Sequence, residues 1–201
     1  MLRKVRNIVW AIWYRIWGEI LSILYFDRKY IGGRWFNNKH AGLGSEGWRW
    51  VTSAALEKIV HDKNRTSRYP IGKYTQVVCP ENIEFDKDDL NIFQSRGCYY
   101  QAHGKITIGK GTWIAPNVGI ITANHDRYDL NRHTPPKDVV IGEKCWIGMN
   151  SVLLPGVCLG EQTIVGAGSV VTKSFNSGHC IIAGNPAKII KLLETTEEIN
   201  E

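Results

Sequence analysis

Close-spaced cysteine pairs are missing from this 201-residue chain. Its five thiols, Cys79, Cys98, Cys145, Cys158 and Cys180, are odd in number and scattered. That excludes a CxxC-type zinc or redox motif and argues against a disulfide-stapled secreted domain. Reduced thiols in a cytoplasmic protein are the expectation. Also missing is an unbroken membrane-length apolar run. Ile8–Phe26 comes closest, but Arg15, Gly18 and Glu19 interrupt it where a bilayer would penalise charge most. A signal peptide would need small residues at a cleavage site, yet Asp27, Arg28 and Lys29 follow.

Acidic residues are scarce at one end only. Residues 1–50 hold nine Lys/Arg against three Asp/Glu, a surplus of six that equals the whole chain's +6. Residues 51–201 are formally neutral, with 16 of each sign, and no nucleic-acid partner is expected for them. Six of the eight Trp also fall in the first 50 residues. At helical spacing Arg15, Glu19 and Ser22 form a thin polar stripe, while Ile8, Ile12, Ile16, Ile20 and Ile23 share a broad apolar side with Trp13 and Leu24. Two readings stand. Residues 1–26 lie on the inner face of an anionic membrane as an interfacial helix, making the protein peripheral there. Alternatively they pack on the domain or between subunits.

The main positive signal is a period of six. Ile141, Ile147, Leu153, Leu159, Val165 and Val171 recur at that interval, often followed by Gly, as at Gly142, Gly148, Gly160 and Gly166. Four positions after the first five stand Cys145, Ser151, Val157, Thr163 and Ser169, all small or β-branched. Ile108, Ile114 and Ile120 obey the same rule, as do Ile71, Val77 and Ile83. Such a period suits a coil with flat sides, one short strand and a tight corner per six residues, with the aliphatic stacked inward. The fold class expected is therefore an all-β solenoid. Between Ile83 and Ile108 the phase slips by one, which predicts a bulge or loop.

Residues 122–138 (TANHDRYDLNRHTPPKD) carry turn formers and charges with no inward phase, and predict a projecting loop. Gly184, Asn185 and Pro186 predict a turn, and Ala187–Glu198 reads as a short capping helix. Residues 52–61 read as another helix, and Asp27–Trp50 as irregular. The organisation expected is an N-terminal helical region over 1–61, a repeat domain over 62–186, and a C-terminal helix and tail over 187–201.

The strings ITIGKGTWIAPNVGIITANHD, VVIGEKCWIGMNSVLLPGVCLG, TIVGAGSVVTKSF and AGNPAKII resemble the hexapeptide-repeat acyltransferases, whose fold is a left-handed parallel β-helix. The resemblance spans about 106–190. It is nearest to enzymes that O-acetylate sugars and surface polysaccharides. It implies a homotrimer with sites between subunits, acetyl-CoA as donor, a sugar or glycan acceptor and no metal. By that resemblance His125, in ITANHD, is the general base, and neutral imidazole suits the task near neutral pH. Trp146, Ala167, Thr172, Lys173 and Lys188 are implied along acetyl-CoA, the lysines facing its phosphates. Met149 stands where some relatives carry Ser. Asn124 and His103 are candidates for the acceptor pocket. The group that orients His125 stays open among Asp126, Asp129, Asp138 and a backbone carbonyl.

Rival readings are weaker. A γ-type carbonic anhydrase would need a ligand-spaced His pair, whereas His125 and His133 lie eight apart and His103 a further 22 back. A non-catalytic scaffold has no need of the ITANHD string. Serine acetylation and amino-sugar N-acetylation are the alternatives within the enzyme class.

Overall fold

The computed structural model of the chain describes residues 2–37 and 46–194. Two helices come first, α1 (Leu2–Tyr25) and α2 (Glu46–His61). Fourteen strands follow: β1 (Gln76–Val78), β2 (Ile83–Phe85), β3 (Tyr99–Gln101), β4 (Ile106–Ile108), β5 (Trp113–Ile114), β6 (Gly119–Ile121), β7 (Val139–Ile141), β8 (Trp146–Ile147), β9 (Val152–Leu153), β10 (Cys158–Leu159), β11 (Thr163–Val165), β12 (Val170–Val171), β13 (Cys180–Gly184) and β14 (Ala187–Leu192).

The strands sort into three sheets, ordered β1-β3-β6-β9-β12, β10-β7-β4-β2 and β14-β13-β11-β8-β5. We call them the first, second and third faces. From β3 to β12 the chain visits the faces in strict rotation, and the pairings between coils are parallel. The period of six is thus one strand and one corner. Ile106, Ile120, Ile147 and Leu153 have no exposed surface, and Ile141, Leu159 and Val165 almost none. Each such side chain contributes about 1.5–3 kcal/mol by leaving water.

The small residues four positions later close the corners. Thr112 Oγ1 donates to Gly142 O at 2.9 Å, and Thr163 Oγ1 to Gly160 O at 2.7 Å. Ser151 Oγ reaches Gly166 O at 3.0 Å. Corner carbonyls that would be orphaned inside the coil are satisfied this way. The glycine after the aliphatic answers to crowding. A Cβ on Gly142 would lie 2.6 Å from Glu161 N in the next coil. Other corner residues take left-handed backbone, among them Asn117 and Asn150, which stack through an Nδ2 to Oδ1 bond of 3.1 Å.

The slip between Ile83 and Ile108 is a 3-10 helix, Lys87–Phe93, lying in the coil before β5, where the third face would otherwise begin. It is also where the N-terminal region is fastened. Arg34 N and Nε bond Asp88 Oδ1 and Asp88 O at 2.9 and 2.7 Å, and Trp35 Nε1 reaches Asp88 O at 2.7 Å. Arg34 Nη2 pairs with Asp89 Oδ1 at 3.1 Å, and Asp89 Oδ2 accepts from Gly111 N at 2.6 Å. Burial raises the pKa of Asp89, opposed by the Gly111 N–H and the Arg34 charge.

Two expectations are corrected. The segment starting at Ala187 is a strand: β14 folds back antiparallel on β13, Gly184 opposite Ala187. The last parallel strand leaves an edge of unpaired backbone groups, and the turn at Gly184–Pro186 returns the chain along it. Residues 195–198 of the expected helix lie outside the described residues. The helix expected over 52–61 begins earlier, at Glu46, so the end of the segment read as irregular is helical.

Lys58 on α2 ties the N-terminal region together. Its Nζ donates to Tyr25 O at 3.2 Å and to Ser67 O, and lies 4.5 Å from the Phe26 ring centre. Burial, with help from Arg68 and against Asp27, lowers its pKa from 10.5 to about 8. Between those values the unfolded chain holds a proton that the folded chain has lost, so stability rises as pH climbs through about 8 to 10.5. Below about 8 both states are charged and the unfavourable contribution is complete. Urea midpoints compared at pH of about 7.5 and about 9.5 should increase more in the parent than in Lys58→Met. Equal changes would remove Lys58 from this role.

Candidate functional site

The loop over 122–138 leaves the first face after β6 and returns on the second face at β7. It is a tight hairpin. Thr134 N bonds Asn124 O at 2.8 Å, Asp126 N bonds Arg132 O at 2.8 Å, and Lys137 N bonds Thr122 O at 2.8 Å. His125 and His133 face each other across it as an antiparallel bridge.

The structure closes the question of what orients His125. Its Nδ1 lies 2.7 Å from Leu130 O. A carbonyl can only accept, so Nδ1 carries the hydrogen, and in the neutral ring Nε2 holds the lone pair. Among the described residues Nε2 has no hydrogen-bond partner. The three Asp candidates are used elsewhere. Asp126 Oδ1 accepts from Tyr128 N at 2.8 Å, Asp129 Oδ1 from Asn131 N at 3.0 Å, and Asp138 Oδ1 from Lys105 N at 2.8 Å.

Three imidazoles form a file along this edge. The rings of His125 and His133 are 4.4 Å apart between centres, and those of His133 and His103 are 5.6 Å apart. Cys79 Sγ follows, 3.8 Å from His103 Nδ1. His103 and Cys79 occupy the same edge in the two preceding coils, after β3 and β1. Beside the file opens a cleft of about 580 Å³, lined by His103, Asp126, Arg132, His133, Thr134 and Pro136 among others. His125 is exposed and borders His133 rather than the cleft itself. His133 and Arg132 were not singled out from sequence as pocket residues. Only the eight-residue spacing from His125 hinted that a hairpin could bring His133 back.

The remaining candidates divide. Thr172 and Lys173 follow β12 on the same edge as His125, both exposed. Trp146 stands on the outer side of the third face, in register with Trp113, and about half of each is exposed. Ala167 is exposed at the corner after β11, and Lys188 is exposed on β14. Asn124 sits at the loop's root, its carbonyl held by Thr134. Thus His125, His103, Thr172 and Lys173 share one edge of the coil. Trp146, Ala167 and Lys188 belong to another side of it.

The family of bacterial transferase hexapeptides (six repeats) matches residues 138–173, the stretch that carries strands β7 to β12. That stretch is similar to the hexapeptide-repeat family. A protein of Staphylococcus aureus named "Putative acetyltransferase" is 36% identical over 133 residues, 60% of this chain and 66% of its own length. One of the same name from Dictyostelium discoideum is 40% identical over 111 residues, 54% of this chain and 58% of its own length. The matched stretch therefore spans less than two thirds of these relatives. Among solved structures, a maltose O-acetyltransferase from Clostridium difficile 630 shares the fold of this chain. Its TM-score is 0.53 at 24% identity, over 92% of this chain and 89% of that one.

Proposed function

We propose that this chain is an acetyl-CoA-dependent O-acetyltransferase acting on a sugar hydroxyl, in a surface glycan or its lipid-linked precursor. The observation that carries the reading is the Leu130 carbonyl on His125 Nδ1, which leaves Nε2 as the basic nitrogen of a ring packed on His133, itself in the lining of an open polar cleft. The names of the similar proteins support acetyl transfer as the class.

In this reading Nε2 of His125 takes the acceptor's hydroxyl proton as its oxygen forms a bond to the thioester carbonyl carbon. The tetrahedral intermediate collapses by breaking the C–S bond. The departing sulfur takes the proton back from Nε2, giving the acetyl ester and free CoA thiol. His103 and Asn124 border the acceptor. Trp146, Ala167, Thr172, Lys173 and Lys188 serve the donor, the lysines facing its phosphates.

The division of these residues between two sides of one coil supports a ring of three copies. A head-to-tail contact would bring the His125 edge of one copy to Trp146, Ala167 and Lys188 of the next, and closure gives a trimer. The β-helix is read as left-handed, as in the sugar acetyltransferases that the sequence resembles.

The test is acetyl-CoA turnover, read as free thiol, over a panel of sugars and lipid-linked glycans. Acceptor-dependent thiol release is expected. Lys173→Glu should raise the KM for acetyl-CoA more than it changes kcat, because a phosphate contact is made equally in ground and transition states. Thiol release on no sugar acceptor would defeat the reading, and an unchanged KM would make Lys173 a plain surface charge.

A further inference from the structure

The N-terminal helix leaves a broad apolar side uncovered. The side of α1 turned inward centres on Gly18 and Ser22, with Leu21 and Tyr25 beside them partly buried against the core. Gly18 is buried against Trp48, where an added Cβ would lie 2.8 Å from the indole Cε3. Ser22 is buried too, its hydroxyl bonded to Glu19 O at 2.8 Å. On the opposite side Val9, Ile12, Ile16, Ile20 and Ile23 are all between 45% and 66% exposed. At 100° per residue they fall within one broad sector, with Trp13 and Trp17 on its flank. A soluble monomer rarely leaves so continuous an apolar surface in water.

The polar groups are arranged for a surface rather than a core. Arg15 and Glu19 pair at 3.2 Å on the margin between the buried and the apolar sides, both half exposed. Arg3, Lys4 and Arg6 stand in the first turns, and the first turn has no acidic residue. A groove of about 440 Å³ runs beside the apolar sector, between α1 and α2. Its walls include Trp10, Trp13, Tyr14, Trp50 and Leu56, and Arg49 is on its rim, held to Glu46 at 3.1 Å.

We propose that α1 inserts sideways into the anionic face of a phospholipid bilayer, apolar sector down, with α2 between it and the coil. Val5–Tyr25 is long and apolar enough to cross a membrane by length and composition. The in-plane position is preferred because Arg15 and Glu19 would otherwise sit near the bilayer centre, and because one side of α1 is already occupied by α2. Charge selects the partner: the whole surplus of six positive charges belongs to residues 1–50. Each basic residue near an anionic surface contributes about 1 kcal/mol. Trp at the edge of the sector suits the headgroup boundary.

The experiment is co-sedimentation of the full chain with phosphatidylcholine vesicles containing, or lacking, about 30% phosphatidylglycerol. Binding to the anionic vesicles should fall, without vanishing, as salt rises from about 50 to about 500 mM, because the apolar share is not screened. Ile16→Glu with Ile20→Glu alters the outward sector and leaves Gly18 and Ser22 in place. This double variant should bind at least about tenfold more weakly while keeping the parent's melting temperature and oligomeric mass. Lipids brominated near the headgroup should quench the Trp emission more than lipids brominated near the chain ends. Failure of the full chain to bind anionic vesicles at low salt would overturn the proposal. So would parent-like binding by the double variant, or a change in its oligomeric mass, which would make a second copy the occupant. Stronger quenching from the chain ends would mean a spanning helix and overturn the in-plane placement.

Discussion

His125→Ala is expected to leave the fold intact and to lower acetyl transfer by about 10²–10⁴-fold, the usual loss with a general base. The side chain is exposed and carries no part of the core, so its removal costs one hydrogen bond, to Leu130 O. With Nδ1 committed to a carbonyl, the nitrogen left to act as a base is Nε2. His125→Gln is a useful companion, since an amide can keep a donor toward Leu130 without supplying a base. Both variants should melt near the parent temperature and release little thiol. A folded His125→Ala enzyme with a near-normal rate would remove His125 from the chemistry and leave His133 or His103, along the same file of rings, as the group to test next.

Arg34→Ala is expected to produce the largest loss of stability from a single surface-proximal change, about 3 kcal/mol, from breaking a buried ion pair on one side. The Asp89 side chain is 2% exposed and its partners are the Arg34 guanidinium and the Gly111 N–H. Without Arg34 the carboxylate remains buried with half its partners gone. The same substitution also removes the Arg34 Nε bond to Asp88 O, loosening the join between the helices and the coil. For a chain of this size the melting temperature should drop by several degrees, roughly 2–4 °C for each kcal/mol. In an Asp89→Asn background the loss should be smaller, because a neutral amide tolerates the missing cation. Equal losses in both backgrounds would show that the hydrogen bonds to Asp88, and not the buried charge, hold the two parts together.

The two variants probe different layers of what could be read in advance. The repeat was legible because an inward aliphatic every six residues is a demand of packing, and Ile141 to Val171 meet it without exception. The loop over 122–138 was legible as the place where that demand lapses. His125 was a candidate from the ITANHD string alone, and the partner of its Nδ1 was not legible. A carbonyl five residues on can approach a ring only when the chain doubles back, and no side chain records that turn. The Arg34 clamp was invisible for a related reason, since 54 and 55 residues separate it from Asp88 and Asp89.

What the sequence determined by itself was whatever depends on local period: the inward aliphatics, the small corner residues, the apolar sector of α1 and the surplus of positive charge before residue 50. Tertiary structure decided what depends on which surface meets which. AKIIKL became a strand because the end of the third face offered an open edge, and propensity alone is too weak to decide so short a segment. The 3-10 helix at Lys87–Phe93 stands where a strand would begin the third face, and a phase slip of one residue could announce an interruption but not its shape. The Gly18 side of α1 was taken by α2 because the missing side chain lets the Trp48 ring come close, and the Ile12–Ile16–Ile20 sector was left outward as a consequence. Close approach between distant segments is a property of the assembled chain, set by the sum of all its contacts, and no window of neighbouring residues contains it.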